Sequence, residues 1–113
     1  MQLKRNTMVC ILNYLVDHLG VQSDGTICTK INAANMIDAI VARRRQCTEK
    51  DVEETCRVLR EELRYALKFV VQRGFVRYAD ESEKYAYTYD IMYSNLDNVW
   101  FDDVTYDGHC FLW

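Results

Sequence analysis

The sequence of this 113-residue chain predicts an α+β fold, on three observations. Apolar residues recur at helical spacing through three segments before Gly74. Directly after that glycine the period changes to alternation, and a second alternating stretch follows one acidic turn later.

The elements follow in order. Asn6 and Thr7 can each cap a helix by accepting a hydrogen bond from a free backbone N–H. Behind them Met8, Ile11, Leu12, Leu15, Val16 and Leu19 form one apolar face that stops at Gly20, which predicts a first helix over Thr7–Leu19. Val21–Thr26 is rich in turn formers, and Thr26-Ile27-Cys28-Thr29 reads as a short strand. Ile31, Ala34, Ile37, Ile40 and Val41 predict a second helix ending in Arg43-Arg44-Arg45. Three arginines suit the negative end of a helix dipole, and they would equally serve as an anion-contacting cluster.

Thr48-Glu49-Lys50-Asp51 has the capping-box pattern. Val52, Cys56, Leu59, Leu63, Ala66 and Val70 then keep steps of three and four, with Leu67 on the same side, so a third helix is predicted over Asp51–Arg73. Beyond Gly74, Phe75–Tyr78 reads as a strand, Ala79–Lys84 as a turn and Tyr85–Ile91 as the returning strand of a hairpin. Tyr85, Tyr87 and Tyr89 share one face of it, for cross-strand packing or for contact with a partner. Met92–Trp113 follows neither period, yet it holds too many apolar residues for a solvated linker. Residues 1–91 are therefore read as the domain, and residues 92–113 as an acidic, aromatic extension packed on it.

Composition narrows the function classes. Half of the residues are hydrophobic and 12% aromatic, enough for one core and too much for a disordered chain. No apolar run approaches the ~18 residues of a membrane span, so no membrane association is expected. Met1-Gln2-Leu3-Lys4-Arg5-Asn6 lacks the unbroken apolar stretch of a secretory signal, which predicts an intracellular protein. Five scattered cysteines without a Cys-x-x-Cys pair read as reduced thiols, with neither a disulfide framework nor a metal site. No Gly-rich phosphate loop, Gly-x-Ser-x-Gly or His-Glu-x-x-His is present. His18 reads as a surface or capping histidine, so no enzyme activity and no cofactor are expected.

Charge is unevenly spread. The chain carries a formal −3, which disfavours a free-standing nucleic-acid binder. Residues 1–79 hold 13 Lys/Arg against 9 Asp/Glu, a net of +4, whereas residues 80–113 hold Lys84 against 8 acidic residues, a net of −7. Arg57, Arg60, Arg64 and Lys68 stack on one face of the third helix. With Arg43, Arg44, Arg45 and Arg77 they are the candidate contacts to nucleic acid or to an acidic partner. The alternative is a solvated, partly paired face, since residues 49–73 carry six basic and six acidic side chains. A −7 segment leashed to a +4 body would also lie on the basic face and mask it, given a screening length of ~8 Å. Trp100, Phe101, Phe111 and Trp113 either extend the core or form a docking segment for a partner.

The stretch Leu63–Arg77, running through Gly74 into a strand, is similar to the end of the third helix and first wing strand of a winged helix-turn-helix domain. Leu67–Gly74 resembles that part of the linker-histone globular domain, and Gly25-Thr26-Ile27 fits the short first strand of the same fold. The resemblance spans roughly residues 7–91. It implies a three-helix winged-helix domain with a C-terminal β-hairpin wing, a fold used both for DNA and for protein partners. The acidic turn of the wing (Asp80, Glu81, Glu83) favours the second use. The expected function is a non-enzymatic interaction module binding a protein partner in a chromatin or transcription setting, hence nuclear. Direct DNA binding through the third helix and wing, masked by the acidic tail, is the alternative, and homodimerisation through the tail or the long helix is a third.

Overall fold

The computed structural model describes residues 3–45, 52–85 and 95–113. Among them four α-helices and two small antiparallel sheets form an α+β arrangement. Helix α1 (Arg5–His18) buries Met8, Ile11, Leu12 and Leu15, the face that the spacing selects. A two-residue-per-strand hairpin follows, β1 (Gly20–Val21) with β2 (Ile27–Cys28). Strand β3 (Ile31–Asn32) leads into α2 (Ala33–Arg45), and α3 (Val52–Gln72) crosses both earlier helices. Strands β4 (Val76–Tyr78) and β5 (Trp100–Val104) complete a three-stranded sheet in the order β3-β5-β4, and α4 (Tyr106–Leu112) closes the chain. No helix among the described residues is long and apolar enough to cross a membrane.

The exit from α3 is built by Gly74. Its φ of 71° lies in the left-handed region, where a Cβ is disfavoured. The Gly74 N–H then donates to the Val71 carbonyl at 3.1 Å and the Phe75 N–H to the Val70 carbonyl at 3.1 Å. These are the two bonds of a Schellman ending, and they satisfy carbonyls the helix leaves open. The chain is thereby aimed straight into β4, as the change of period after Gly74 implied.

The main departure from the sequence reading is the segment 92–113. Its described part, residues 95–113, supplies the central strand of the sheet. Ile31 pairs with Phe101 and Asn32 with Trp100 on one side, and Val76 pairs with Val104 and Arg77 with Asp103 on the other. Leu96, Val99, Phe101 and Val104 are buried with the side chains of α1, α2 and α3 in one core. The strand shown to pair with β4 is thus Trp100–Val104. The returning strand expected over Tyr85–Ile91, with its tyrosine face, lies outside the described residues from Ala86 on, and Tyr85 closes a 3-10 turn begun at Ser82. The short strand expected near Thr26 exists as β2, but it pairs locally with β1. The strand that joins the larger sheet is Ile31–Asn32, residues whose apolar spacing had suggested the start of the second helix.

Asn32 makes that junction. It is buried, and its Oδ1 accepts from the Asn35 N–H at 3.1 Å, capping α2. Its Nδ2 donates to the Asp97 carbonyl at 2.8 Å and to the Val99 carbonyl at 3.4 Å. One amide therefore satisfies the helix start and two carbonyls of the approach to β5. At the other end of β5, Thr105 caps α4 by accepting from the Gly108 N–H, donates its hydroxyl to the Gly74 carbonyl at 2.5 Å, and gives its N–H to the Phe75 carbonyl at 2.9 Å. Gly108 packs so closely here that a Cβ would strike the Phe75 carbonyl oxygen and lie 2.7 Å from Val104 Cγ1. Arg5 holds the far end of α4, with Nη2 2.8 Å from the Phe111 carbonyl and the guanidinium 4.8 Å above the Phe111 ring.

Replacing Asn32 by Ala takes the side-chain donor from the Asp97 carbonyl, leaves the Val99 carbonyl with the Ala33 N–H alone, and leaves α2 without its cap. It is expected to cost about 1–3 kcal/mol in a denaturant titration. Asn32→Asp, which keeps the acceptor and loses both donors, separates the two contributions in the same measurement.

Candidate functional site

The cations of α3, with Arg73 just beyond its last residue, fall into two groups. In the amino-terminal half each one described is closed by a carboxylate. Arg57 lies 3.1 Å from Glu54 Oε1 and 3.5 Å from Glu61 Oε1, and Arg60 pairs with Asp38 of α2. Lys4 reaches across from the start of α1 to Glu62 at 3.0 Å. Exposed pairs like these contribute only ~0–1 kcal/mol each to stability, but they cancel the field a ligand would meet.

The carboxy-terminal half differs. Lys68 Nζ lies 5.8 Å and the Arg73 guanidinium 5.7 Å from the centre of the Phe69 ring, and Tyr65 meets that ring edge-on at 5.2 Å. Among the described residues neither Lys68 nor Arg73 has a carboxylate at ion-pair distance. Arg64 is half-buried one turn before Lys68. Arg43 and Arg44 are exposed on the last turn of α2, and the side chain of Arg45 lies outside the described set.

Arg77 is on the sheet, away from this row, and is tied to the end of the chain. Its Nε donates to Asp102 Oδ1 at 2.7 Å, and that contact holds the guanidinium above its ordinary pKa, with Asp103 adding to the effect. A bulge explains the reach. The register of β4 on β5 jumps from Arg77–Asp103 to Tyr78–Phe101, leaving Asp102 as the extra residue of its strand. Lys30 likewise spans the basic and acidic parts of the chain, 2.9 Å from Asp80 and 4.8 Å above the Trp100 ring.

The four aromatic residues considered for docking separate by burial. Phe101 is wholly buried and stacks on Tyr78 with centroids 5.5 Å apart, so it has no surface for a partner. Its inward position follows from the central place of β5. Phe111 is half-buried against Phe75 at 4.9 Å, and Trp100 is half-buried beneath Lys30. Trp113 is 84% exposed at the end of the chain.

The sequence reading missed Tyr65, Phe69 and Arg73. Tyr65, Phe69 and Arg73 follow one another at four-residue steps, and Arg64, Lys68 and Gln72 form the neighbouring row. The available signal was an acid-free run: residues 63–79 hold four basic side chains and no Asp or Glu.

Four further titratable groups, His18, Tyr14, Asp24 and Tyr78, have defined local surroundings. The His18 ring stacks on Tyr14 at 4.0 Å, and its Nδ1–H donates to the Tyr14 carbonyl oxygen at 2.8 Å. Burial pushes the Tyr14 phenol above its ordinary pKa, with Cys28 adding to the rise and Arg43 opposing it. Two hydrogen bonds from Thr26 hold Asp24 below the usual carboxylate range, which fixes the turn of the β1–β2 hairpin. Tyr78 is shifted most. Burial, with a smaller contribution from Glu83, pushes its pKa to about 12, and its buried hydroxyl meets no hydrogen-bond partner among the described residues.

Comparison with protein-family models, with curated proteins and with solved structures finds no match to this chain.

The raised pKa of Tyr78 gives the fold an alkaline limb. A phenol shifted upward on folding keeps its stabilising effect below its unfolded pKa of 10.0 and loses it as pH climbs through about 12. Stability measured by denaturant titration is expected to fall across that window. Tyr78→Phe is expected to flatten the fall and, by removing a hydroxyl without a partner, to be at least as stable at neutral pH.

Proposed function

We propose that this chain is a non-enzymatic interaction module of winged-helix topology whose partner is a protein, in a chromatin or transcription setting and therefore in the nucleus. The topology is supported by the element order. Counting only the strands of the three-stranded sheet, a helix, a strand, two helices and two further strands follow in sequence, with the last strand between the other two; the β1–β2 hairpin and α4 are additions to that order. Gly74 leads the third of those helices directly into a strand, as in the linker-histone resemblance.

The observation that carries the protein-partner reading is the closure of the basic stripe. Arg57, Arg60 and Arg77, three of the cations that a phosphate backbone would need, are already paired with Glu54, Glu61, Asp38 and Asp102. A duplex would have to displace those carboxylates or bind over them, and the chain as a whole is net negative. The non-enzymatic reading is supported by His18, whose ring is stacked and whose Nδ1 is committed to a backbone carbonyl.

Direct DNA binding is the second reading, and Lys68 with Arg73 is the observation that favours it. The two readings differ in a mobility-shift titration of the whole chain with a 20-base-pair duplex of mixed sequence. No shift at 50 mM salt is expected. A complex whose affinity falls steeply with salt, as several phosphate contacts require, would establish the second reading instead.

A further inference from the structure

Helix α3 changes character at Leu63. Before it, Arg57 and Arg60 are closed by carboxylates. After it, Lys68 Nζ and the Arg73 guanidinium lie 5.8 and 5.7 Å from the centre of one partly buried phenyl ring, with Tyr65 at its edge. Nothing acidic occurs in sequence from residue 63 to residue 79, and Arg77, the other cation of that run beyond the helix, is taken by Asp102.

We propose that this surface, Lys68, Phe69 and Arg73 with Tyr65 beside them, docks an acidic segment of the protein partner that carries an aromatic or aliphatic side chain between its carboxylates. The inference rests on the protein-partner reading and names the chemistry of that partner. Charge complementarity is the first argument: two cations with no carboxylate at ion-pair distance among the described residues lie beside one apolar ring, so a ligand of opposite charge with an apolar centre satisfies all three. Spacing is the second. Side chains one α-helical row apart rise by about 6 Å per four residues, so Tyr65, Phe69 and Arg73 span about 12 Å. Alternate side chains of an extended segment repeat at nearly the same interval, about 6.6 Å.

The same dimensions disfavour two other occupants. Duplex DNA presents a charge about every 1.7 Å along its axis and would extend past this row. Beyond the row lie Glu54, Glu61 and Glu62 on α3 and Asp80 and Glu81 after β4. A second copy of the chain has one acidic, aromatic stretch among the described residues that fits, Trp100–Asp107. That stretch is already held in β5 and the start of α4.

The test is fluorescence anisotropy with the full chain and three labelled probes. They are a ten-residue peptide alternating Glu with Phe and Leu, its analogue with Gln at every Glu, and a 20-base-pair duplex. The Glu peptide is expected to bind at 50 mM salt, the Gln peptide at least ten-fold more weakly, and the duplex not at all. Lys68→Glu with Arg73→Glu is expected to weaken the Glu peptide at least ten-fold, and Arg57→Gln by less than two-fold. Thermal midpoints check folding, and Lys68→Gln with Arg73→Gln gives a milder pair in case charge reversal disturbs the helix. Equal binding of both peptides, no peptide binding, or an unchanged affinity in the folded double variant overturns the docking surface. With the duplex still unbound, those results leave the protein-partner reading in place. Duplex binding that depends on Lys68 and Arg73 overturns both.

Discussion

The antiparallel pairing of Trp100–Val104 with strands on both of its sides is the constraint on which the rest of this structure depends. Ile31–Asn32 lies on one side of that strand and Val76–Tyr78 on the other. Among the described residues neither has another partner in the larger sheet. Phe101 and Val104 of this strand, with Val99 just before it, are buried in one core with side chains of α1, α2 and α3. Burying a side chain of that size stabilises by about 1.5–3 kcal/mol, so these three weigh heavily against a total stability of only ~5–15 kcal/mol. Asn32 at one end and Thr105 at the other fix the strand by hydrogen bonds to the approach to β5 and to the exit of α3. The end of the chain is in this sense interior, although it is the most acidic part of the sequence.

That arrangement changes the meaning of the charge asymmetry. A net −7 following a net +4 suggests a loose tail resting on a basic body. The described part of the acidic segment is folded in, and its contact with the basic part is made residue by residue. Asp102 closes Arg77, and Asp80 closes Lys30. Cutting the chain after Ile91 would remove the centre of the sheet and so could not serve to unmask a surface. The field presented to a partner is set locally, by which cations have a neighbouring carboxylate and which do not. On α3 the paired cations Arg57 and Arg60 lie in the amino-terminal half, and Lys68, for which the described residues supply no carboxylate at ion-pair distance, lies toward the carboxy-terminal end.

The helices were legible because their signal is local. Met8, Ile11, Leu12 and Leu15 declare their face within a dozen residues, and Gly74 declares the end of α3 by its conformational freedom. The central strand was not legible, for an identifiable reason. A bulge at Asp102 puts Phe101 and Val104, three residues apart, both into the core, so the strand breaks the two-residue alternation by which it would be recognised. Its partners are also remote in sequence, near residues 31 and 76. Much the same holds for the candidate surface. The stripe Arg57, Arg60, Arg64 and Lys68 was visible from spacing alone, whereas the closing of Arg60 by Asp38 depends on how α2 crosses α3. Tyr65 and Phe69 carry no charge and so fall outside a pattern drawn from basic residues, and Phe69 is in part packed against the core.

Native-state hydrogen exchange of the β5 amides tests the central claim most directly. If Trp100–Val104 is the middle strand, the amide of Phe101, opposite Ile31, exchanges only when the whole molecule unfolds, with protection equal to that of Leu67 in α3. Exchange of that amide at the rate of an unstructured peptide, while α3 stays protected, would contradict the account and return residues 95–113 to the status of an appendage.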